Sequence, residues 1–292
     1  MNIPDISFNH NKSEQAELEV LPLSRLYLTD FISHNPQLPH RVSFFILICI
    51  DQGEGKHMVD FKTVNFSPGS LIFVQPEQVH AFDFSAHPQG HIVLFTQKFL
   101  DRVHANMRLP NYTPTHLNQQ HTALLMLDTE NHSRINTFIN EMCHEIKHVA
   151  SDPLIVMYLF STLALMLHRL RPQSRHDNLS TGQSIKLSDF FSLLQAHFTT
   201  TRDANWYANK LNITYKTLNT LCKLSNGLTA KNMIDAFTLI EMKRRLVIAN
   251  LSTQKLAYDF GFDDVSNFVK YFKKHVGSTP SQFQKQYKIP VL

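Results

Sequence analysis

Residues Ser252–Tyr287 have the sequence STQKLAYDFGFDDVSNFVKYFKKHVGSTPSQFQKQY, which decides the fold of the C-terminal part of the chain. Leu256, Ala257 and Phe260 form one apolar face, and their spacing predicts a short helix. Gly261 ends that helix, because glycine adopts the left-handed turn conformation without steric cost. The stretch therefore predicts a helix, a tight turn and a second helix.

The second helix of this stretch has two different faces. An apolar stripe at helical spacing consists of Val265, Phe268, Val269, Phe272 and Val276. The opposite face is polar and basic, with Ser266, Asn267, Lys270, Lys273 and Lys274. Asp264 caps the start, Gly277 ends the helix, and Thr279-Pro280 begins a third helix with proline at its first position. This pattern is typical of a helix-turn-helix that binds DNA, and a helical bundle with a solvated lysine face is the alternative.

The spacing of these residues resembles the signature of AraC/XylS-type transcription regulators. The matching pattern is Ala257-x3-Gly261-Phe262-x-Asp264-x-Ser266-x-Phe268-x-Lys270-x-Phe272-Lys273-x3-Gly277-x-Thr279-Pro280-x2-Phe283. The resemblance implies a regulator that binds double-stranded DNA, most simply an activator that forms a homodimer and works with RNA polymerase. It also implies a second helix-turn-helix earlier in the chain.

The earlier motif is predicted in residues 206–225. Trp206–Leu211 forms its first helix, Asn212-Ile213 the turn and Thr214–Ser225 the recognition helix. The recognition helix has a core side of Leu218, Leu221 and Cys222, and an outward polar side of Lys216, Asn219, Thr220 and Lys223. An amphipathic helix (Ile185–Phe198) precedes the motif, and a long helix (Ala230–Leu251) joins it to the second one.

In the family that the chain resembles, base reading falls on the exposed face of each recognition helix. Carried over, the base-reading residues are Lys216, Asn219 and Thr220 in the first helix and Ser266, Asn267 and Lys270 in the second. Phosphate contacts are expected from Lys223, Lys273, Lys274 and the cluster Lys243–Arg245. Two such helices on one connecting helix suit successive major grooves, about 34 Å apart.

Charge and cysteine content support this interpretation. Residues 184–292 carry 15 of the 28 lysines and arginines and 7 of the 24 acidic residues, which leaves 13 against 17 in the rest of the chain. A basic C-terminal part suits contact with phosphates. The three cysteines are far apart and the N-terminus is polar and acidic, which indicates a cytoplasmic protein without a signal peptide.

The N-terminal part predicts β structure. After a polar arm (Met1–Glu19) that is not expected to be ordered by itself, short apolar runs are separated by glycine and proline turns. The predicted strands are Val42–Ile50, which is buried on both faces, then His57–Phe61, Leu71–Val74, Ala81–Phe84 and Ile92–Phe95. Such a series favours a small antiparallel β-barrel or a jelly roll.

Three segments in residues 39–100 are similar to the cupin-type effector domain of many regulators in this family. Their sequences are PHRVSFFILICIDQGEG, SPGSLIFVQPEQVH and GHIVLFTQKFL. The similarity implies a small-molecule effector bound in the barrel. The predicted polar anchors are Arg41, His57 and His80, and the predicted walls are Phe45 and Phe82. If Arg41 points inward, it favours a ligand with a carboxylate or hydroxyl group.

A metal centre in the barrel is not expected. Metal-binding cupins supply an H-x-H pair, whereas here His40 is followed by Arg41 and Val42, and only His80 fits the later ligand position. The sequence therefore predicts no metal, no cofactor and no enzyme activity. Two alternatives stay open: a cupin enzyme fused to a DNA-binding module, and a regulator with a vestigial barrel that is controlled by its abundance or by a protein partner.

Two helical stripes follow the barrel. The first consists of Ile135, Phe138, Ile139, Met142 and Ile146; the second, Leu154–Leu170, is apolar almost all round but shorter than the roughly 20 residues of a membrane span. An exposed apolar face predicts dimerisation, and packing of the helix on its own barrel is the alternative. The predicted fold is α+β: residues 1–170 form the cupin-like effector and dimerisation domain, 171–184 a linker, and 185–292 an all-α domain with two helix-turn-helix motifs.

Overall fold

The computed structural model describes residues 4–8, 16–28, 35–83, 85–107, 123–170, 179–248 and 251–287. The chain divides into two compact units. The first is formed by Pro4–Leu109 and His121–Arg171, and the second contains Pro172–Leu292.

Two facing five-stranded sheets form the centre of the first unit. Their strands are β1 (Asp5–Ile6), β2 (Leu18–Pro22), β3 (His40–Val42), β4 (Phe45–Gln52), β5 (Gly55–Val59), β6 (Lys62–Phe66), β7 (Ser70–Val74), β8 (Val79–Phe82), β9 (Gln89–Phe95) and β10 (Leu124–Met126). One sheet has the order β1-β3-β8-β5-β6 and the other β10-β7-β4-β9-β2. All pairs are antiparallel except the parallel pair β1–β3, so the predicted β domain is largely antiparallel.

Strand β4 lies at the centre of its sheet, and every residue from Phe45 to Ile50 is buried. Alternate side chains point to opposite faces of a strand. Ile46, Ile48 and Ile50 therefore join the core between the two sheets, whereas Phe45, Leu47 and Cys49 join a second core on the outer face. The prediction of a strand buried on both faces is confirmed.

The close pairing of β4 with β9 depends on one glycine. Gly90 has φ +150°, and a Cβ atom at this position would lie 2.0 Å from the Cys49 carbonyl oxygen. A real side chain cannot occupy that space, because the obstructing atom belongs to the backbone of the neighbouring strand.

Helices cover the outer face of the sheet that contains β4. They are α2 (Gln97–Met107), α3 (Thr129–Lys147) and α4 (Pro153–Leu170), whereas the short α1 (Arg25–Leu28) packs against the core between the sheets. The buried stripes of α3 and α4 pack with Phe45, Leu47, Val93 and Phe95 in one core; the stripe residues are Ile135, Ile139, Met142, Val156, Met157, Phe160, Leu163 and Met166. Packing of α4 on its own β domain was the alternative to dimerisation in the sequence analysis, and the structure shows this packing for one side of the helix.

Helix α4 is also apolar on the side that faces away from this core. Leu154, Ile155, Tyr158 and Leu165 are exposed large apolar residues on that side. By length and composition alone the helix is also long and apolar enough to cross a membrane. Its other face, however, completes the core against the sheet, as a core helix of a folded domain does.

In the described residues of the second unit, every element of secondary structure is a helix. Its helices are α5 (Thr181–His197), α6 (Ala204–Lys210), α7 (Tyr215–Asn226), α8 (Ala230–Ile248), α9 (Thr253–Asp259), α10 (Val265–Val276) and α11 (Pro280–Tyr287). Helices α5 to α7 enclose one apolar core with the start of α8. The end of α8 packs with α9 and α11, so α8 joins the two helix-turn-helix motifs as predicted.

The second motif forms as its sequence predicts. Gly261 and Gly277 end α9 and α10 in left-handed conformations, with φ values of +69° and +85°. Asp264 caps α10, because its Oδ1 accepts a hydrogen bond from the Ser266 N–H at 2.6 Å. The apolar stripe of α10 faces inward, with Phe268 fully buried.

Several predicted boundaries were wrong. Helix α5 begins at Thr181, inside the predicted linker, because Ser180 and Gln183 form a capping box and Leu179 is already buried. The predicted end of the long connecting helix at Leu251 is also wrong, because Leu251 is not helical. Residues 171–178 and 249–250 lie outside the described residues.

The β region also differs in detail from the prediction. The run Val42–Ile50 is interrupted between β3 and β4, and β6, β10 and α2 were not predicted. The polar arm contributes β1 and the start of β2, since both pair with strands of the sheets. Residues 1–3, 9–15 and 84 of the predicted arm and strands lie outside the described residues.

The start of α8 is tied to α7 by one side chain. Asn219 Oδ1 accepts a hydrogen bond from the backbone N–H of Ala230 at 3.0 Å, and Ala230 is fully buried. The first N–H groups of a helix have no partner within the helix, so this contact satisfies one of them.

We expect Asn219→Ala to lower the free energy of unfolding by about 1 kcal/mol, because it leaves that N–H without its acceptor. Asn219→Asp keeps an acceptor and adds a negative charge at the helix N-terminus, so it should keep most of the stability. Urea unfolding of the full chain, followed by circular dichroism, measures both. Equal stability of the alanine variant and the original chain would contradict the capping role.

Candidate DNA-binding surface and effector domain

Helix α7 presents a polar surface opposite its buried side. Leu218, Leu221 and Cys222 are buried, as predicted. Lys216, Thr220 and Lys223 are exposed. The exposed surface also includes Tyr215, Thr217 and Leu224, which the sequence prediction missed. Tyr215 and Leu224 are large, mainly apolar side chains at the edges of the polar side of α7. Their type does not predict exposure, which only the packed structure shows.

Asn219 does not belong to this free surface. Its side chain is half-buried, and its Oδ1 is engaged with the start of α8. A bidentate contact with adenine needs both the oxygen and the nitrogen of the amide. In this structure Asn219 therefore caps the start of α8, which is a different role from the predicted base reading.

Helix α10 presents a second polar surface. Ser266, Asn267, Lys270, Lys273 and Lys274 are all exposed, opposite the buried Phe268 and Phe272. The three lysines make this surface basic along two turns. The arrangement agrees with the predicted outward face of the second recognition helix.

Contacts between the two motifs fix them to the same connecting helix. The Arg202 guanidinium, just before α6, lies 3.8 Å from the centre of the Phe262 ring in the turn of the second motif. Tyr271 of α10 donates a hydrogen bond to Asp235 of α8 at 2.9 Å, and Lys231 pairs with the same carboxylate at 2.7 Å. Burial and the Asp235 charge raise the pKa of Tyr271, so its hydroxyl stays protonated and donates.

The basic cluster Lys243–Arg245 has a different role from the predicted phosphate contact. All three residues are half-buried. Arg245 lies over the rings of Phe198 and Phe260 at 5.2 and 5.1 Å, and Arg244 pairs with Glu241. The charges of Arg244 and Arg245 are thus used within the domain, so neither arginine is assigned a phosphate contact.

Inside the first unit, three histidines meet between the two sheets. His40 and His80 are cross-strand partners with ring centres 4.0 Å apart, and His57 lies 5.5 Å from His80 and 4.1 Å from Phe82. His57 is fully buried, and neither of its ring nitrogens has a hydrogen-bond partner among the described residues. Burial, with a smaller effect from His40, lowers the pKa of His57 to about 3, so the ring is neutral.

The other two predicted effector contacts lie outside the barrel interior. Arg41 follows the inward-facing His40 and therefore points outward, where it forms 2.6 Å ion pairs with Asp5 and Glu77. Phe45 stacks on Phe95 in the outer core, beneath the helices. Both predictions were wrong, because the alternation of the strands places these side chains on the far face.

A polar cluster lies on the outer face, where α3 crosses β4 and β9. Asn136 Nδ2 donates to Asp51 Oδ1 at 2.6 Å, and the Cys49 thiol donates to Asn136 Oδ1 at 3.2 Å. His132 Nε2 lies 3.1 Å from Asp51 Oδ1, and His91 Nδ1 lies 3.5 Å from Asp51 Oδ2. This cluster could not be predicted from the sequence, since its members come from two strands and a helix.

The cluster holds an acidic side chain next to a buried thiol. Burial acts to raise the pKa of Asp51, but the nearby His91 ring, the hydrogen bond from Asn136 and the His132 ring lower it overall. Burial, helped by the Asp51 charge, raises the pKa of Cys49 to about 12. At neutral pH the cluster therefore contains a carboxylate and a protonated thiol.

Comparison with known proteins gives relatives of similar length. The chain is 22% identical over 273 residues to the HTH-type transcriptional activator RhaS of Escherichia coli O1:K1, which covers 87% of this chain and 92% of RhaS. The structure of ToxT from Vibrio cholerae O395 aligns at 13% identity and a TM-score of 0.45, over 88% of this chain and 93% of ToxT. The structure of ToxT from Vibrio cholerae strain SCE256 with a bound unsaturated fatty acid aligns at 14% identity and a TM-score of 0.42, over 85% of this chain and 88% of ToxT.

Two family models match the chain. An AraC-like ligand binding domain matches residues 26–164, and a helix-turn-helix domain matches residues 207–286. The first accounts for binding of a small-molecule effector and the second for binding of DNA. The chain therefore belongs to the AraC-type transcription regulators, with an AraC-like ligand-binding domain ahead of its helix-turn-helix domain.

Proposed function

We propose that this regulator is a transcription activator in which α7 and α10 enter neighbouring major grooves of one operator. The observation that carries the proposal is the matched pair of helices, each apolar toward the core and polar outward, joined through α8. Contacts through Arg202 and Asp235 hold the motifs together, so one stretch of duplex meets both surfaces. The duplex bends if the spacing of the two helices requires it.

The exposed residues divide into two roles. Lys216 and Thr220 on α7, and Ser266, Asn267 and Lys270 on α10, contact base edges in the groove. Lys223, Lys273 and Lys274 contact phosphates, which position the protein without reading sequence. Asn219 is left out of the base-reading set because its amide oxygen is engaged with Ala230.

For Lys270→Ala we expect weaker binding, by about 1–3 kcal/mol, and a relaxed base preference at one position of the operator. The reason is the loss of an ammonium donor that reaches guanine O6 or N7. Selection of binding sites from a random-sequence duplex pool, followed by titration of the selected DNA, measures both quantities.

The matched control is Lys285→Ala, which removes the same charge from an exposed position on α11, outside both recognition helices. It should leave the selected sequence unchanged. An unaltered preference at every operator position for Lys270→Ala would contradict the base-reading role.

The effector binds between the two sheets, next to His57, His80 and Phe82. His57 supports this location because its two ring nitrogens lie in an apolar interior without hydrogen bonds among the described residues. A neutral imidazole donates at one nitrogen and accepts at the other, so it suits a ligand with a hydroxyl or carboxyl group on an apolar body. Binding shifts the population between arrangements that differ in DNA affinity.

We expect the effector to raise the unfolding temperature of the original chain and not that of His57→Phe, in a thermal-shift screen of small metabolites. At 100 times its dissociation constant a ligand stabilises the folded state by about 2.7 kcal/mol. The control is Arg41→Ala, whose side chain points away from the interior and which should keep the response. A full response of His57→Phe refutes the interior site, and the absence of any stabilising metabolite indicates a vestigial barrel.

The regulator works as a homodimer through the exposed side of α4. Leu154, Ile155, Tyr158 and Leu165 support this, since an apolar stripe on a helix otherwise built into a core is costly to leave in water. The dimer places two DNA-binding units on one promoter, where they recruit RNA polymerase. It acts in the cytoplasm, where its three free cysteines stay reduced.

Tyr158→Lys should shift the chain from dimer to monomer, because it places a charge in the middle of this apolar stripe. Asn140→Lys is the control, since it adds the same charge at an exposed position on α3. Sedimentation velocity at several protein concentrations measures the association. A dimer of unchanged affinity in Tyr158→Lys would exclude α4 as the interface.

A further inference from the structure

We propose that Cys49, Asp51, His91 and His132 form a zinc-binding site on the outer face of the effector domain. The site lies where α3 crosses β4 and β9, away from the histidines between the sheets. Among the described residues, Cys49, Asp51 and His132 form the one set of three such side chains whose ligand atoms all lie within 4.8 Å of one another.

The spacing of these atoms is close to what zinc requires. Zinc bonds of about 2.0–2.3 Å at tetrahedral angles place the ligand atoms about 3.3–3.8 Å apart. The distance from Asp51 Oδ1 to His132 Nε2 is 3.1 Å, and the distance from Asp51 Oδ2 to His91 Nδ1 is 3.5 Å. Small side-chain rotations bring the ligand atoms of Cys49, Asp51 and His132, which lie within 4.8 Å of one another, to these separations. His91 joins as the fourth ligand from its position beside Asp51.

The backbone already directs the four side chains to one place. Cys49 and His91 are direct cross-strand partners on β4 and β9. A bulge between Ile50 and Gln52 displaces Asp51 from the regular ladder, and His132 comes from the first turns of α3. Three separate elements thus supply the ligands, as in sites that hold elements together.

The donor chemistry selects zinc over calcium or magnesium. A thiolate and two imidazoles are ligands for zinc, whereas magnesium and calcium take oxygen ligands. Binding replaces the S–H bond of Cys49 by a sulfur–zinc bond, and the proton passes to the buffer. The Cys49 thiolate and the Asp51 carboxylate together neutralise the charge of the ion.

The depth of the cluster suits entry of an ion from solvent. The side chains of Asp51, His91 and His132 are 28%, 23% and 20% exposed, whereas Cys49 is fully buried at the base. Asn136 lies beside Cys49, Asp51 and His132 and contacts all three. It acts as a positioning residue, because its amide orients the thiol and the carboxylate.

The test uses the full chain after treatment with a chelator and dialysis. With zinc we expect one tightly bound ion per chain and a higher unfolding temperature. With cobalt in place of zinc we expect a thiolate-to-cobalt charge-transfer band in the near ultraviolet. The band is essential, because a chain with 17 histidines also binds metal at surface imidazoles, which give no such band.

Cys49→Ser should abolish the cobalt band, and His132→Gln should weaken zinc binding at least tenfold. The matched controls are Cys143→Ser and His144→Gln, which change the same residue types elsewhere on α3 and should leave both properties unchanged. Circular dichroism confirms folding of each variant, and His132→Gln remains informative if Cys49→Ser is unstable. Absence of the band in the original chain, or its persistence in Cys49→Ser, overturns the proposal.

Discussion

The first unit depends on one strand that is buried on both faces. The inner side chains of β4 fill the space between the two sheets, and its outer side chains form the floor on which α3 and α4 pack. Ile46 and Leu47 are adjacent in the chain and yet belong to different cores. The interior proposed for effector binding and the helices proposed for dimerisation are therefore separated by the thickness of a single sheet, so a shift of β4 changes both.

The sequence was sufficient where local rules determine the structure. Gly261, Asp264 and Gly277 set the boundaries of α9 and α10 through backbone conformation and capping, and these are satisfied within a few residues. The polar face of α10 followed from helical periodicity in the same way. The start of α5 was missed although Ser180 and Gln183 form a recognisable capping box, because the polar segment before it concealed the signal.

Functional residues that depend on partners far away in sequence could not be predicted as well. Side chains alternate between the two faces of β3 and β4, so His40 faces inward and Arg41 and Phe45 do not. Predicting this requires knowing which residue of each strand faces inward. The outer polar cluster needs the register of β4 with β9 and the position of α3. The expectation of no metal rested on the missing H-x-H pair, an argument that concerns only the barrel interior.

Gly90 has a consequence for how this domain tolerates change. The two central strands touch at this residue, where the Cys49 carbonyl oxygen occupies the volume of a side chain. By contrast, a Cβ at Gly182 would meet nothing within 4 Å. Folded variants selected from randomised libraries should consequently contain many different amino acids at position 182 and almost only glycine at position 90. Any redesign of the ligand preference should therefore keep Gly90 unchanged.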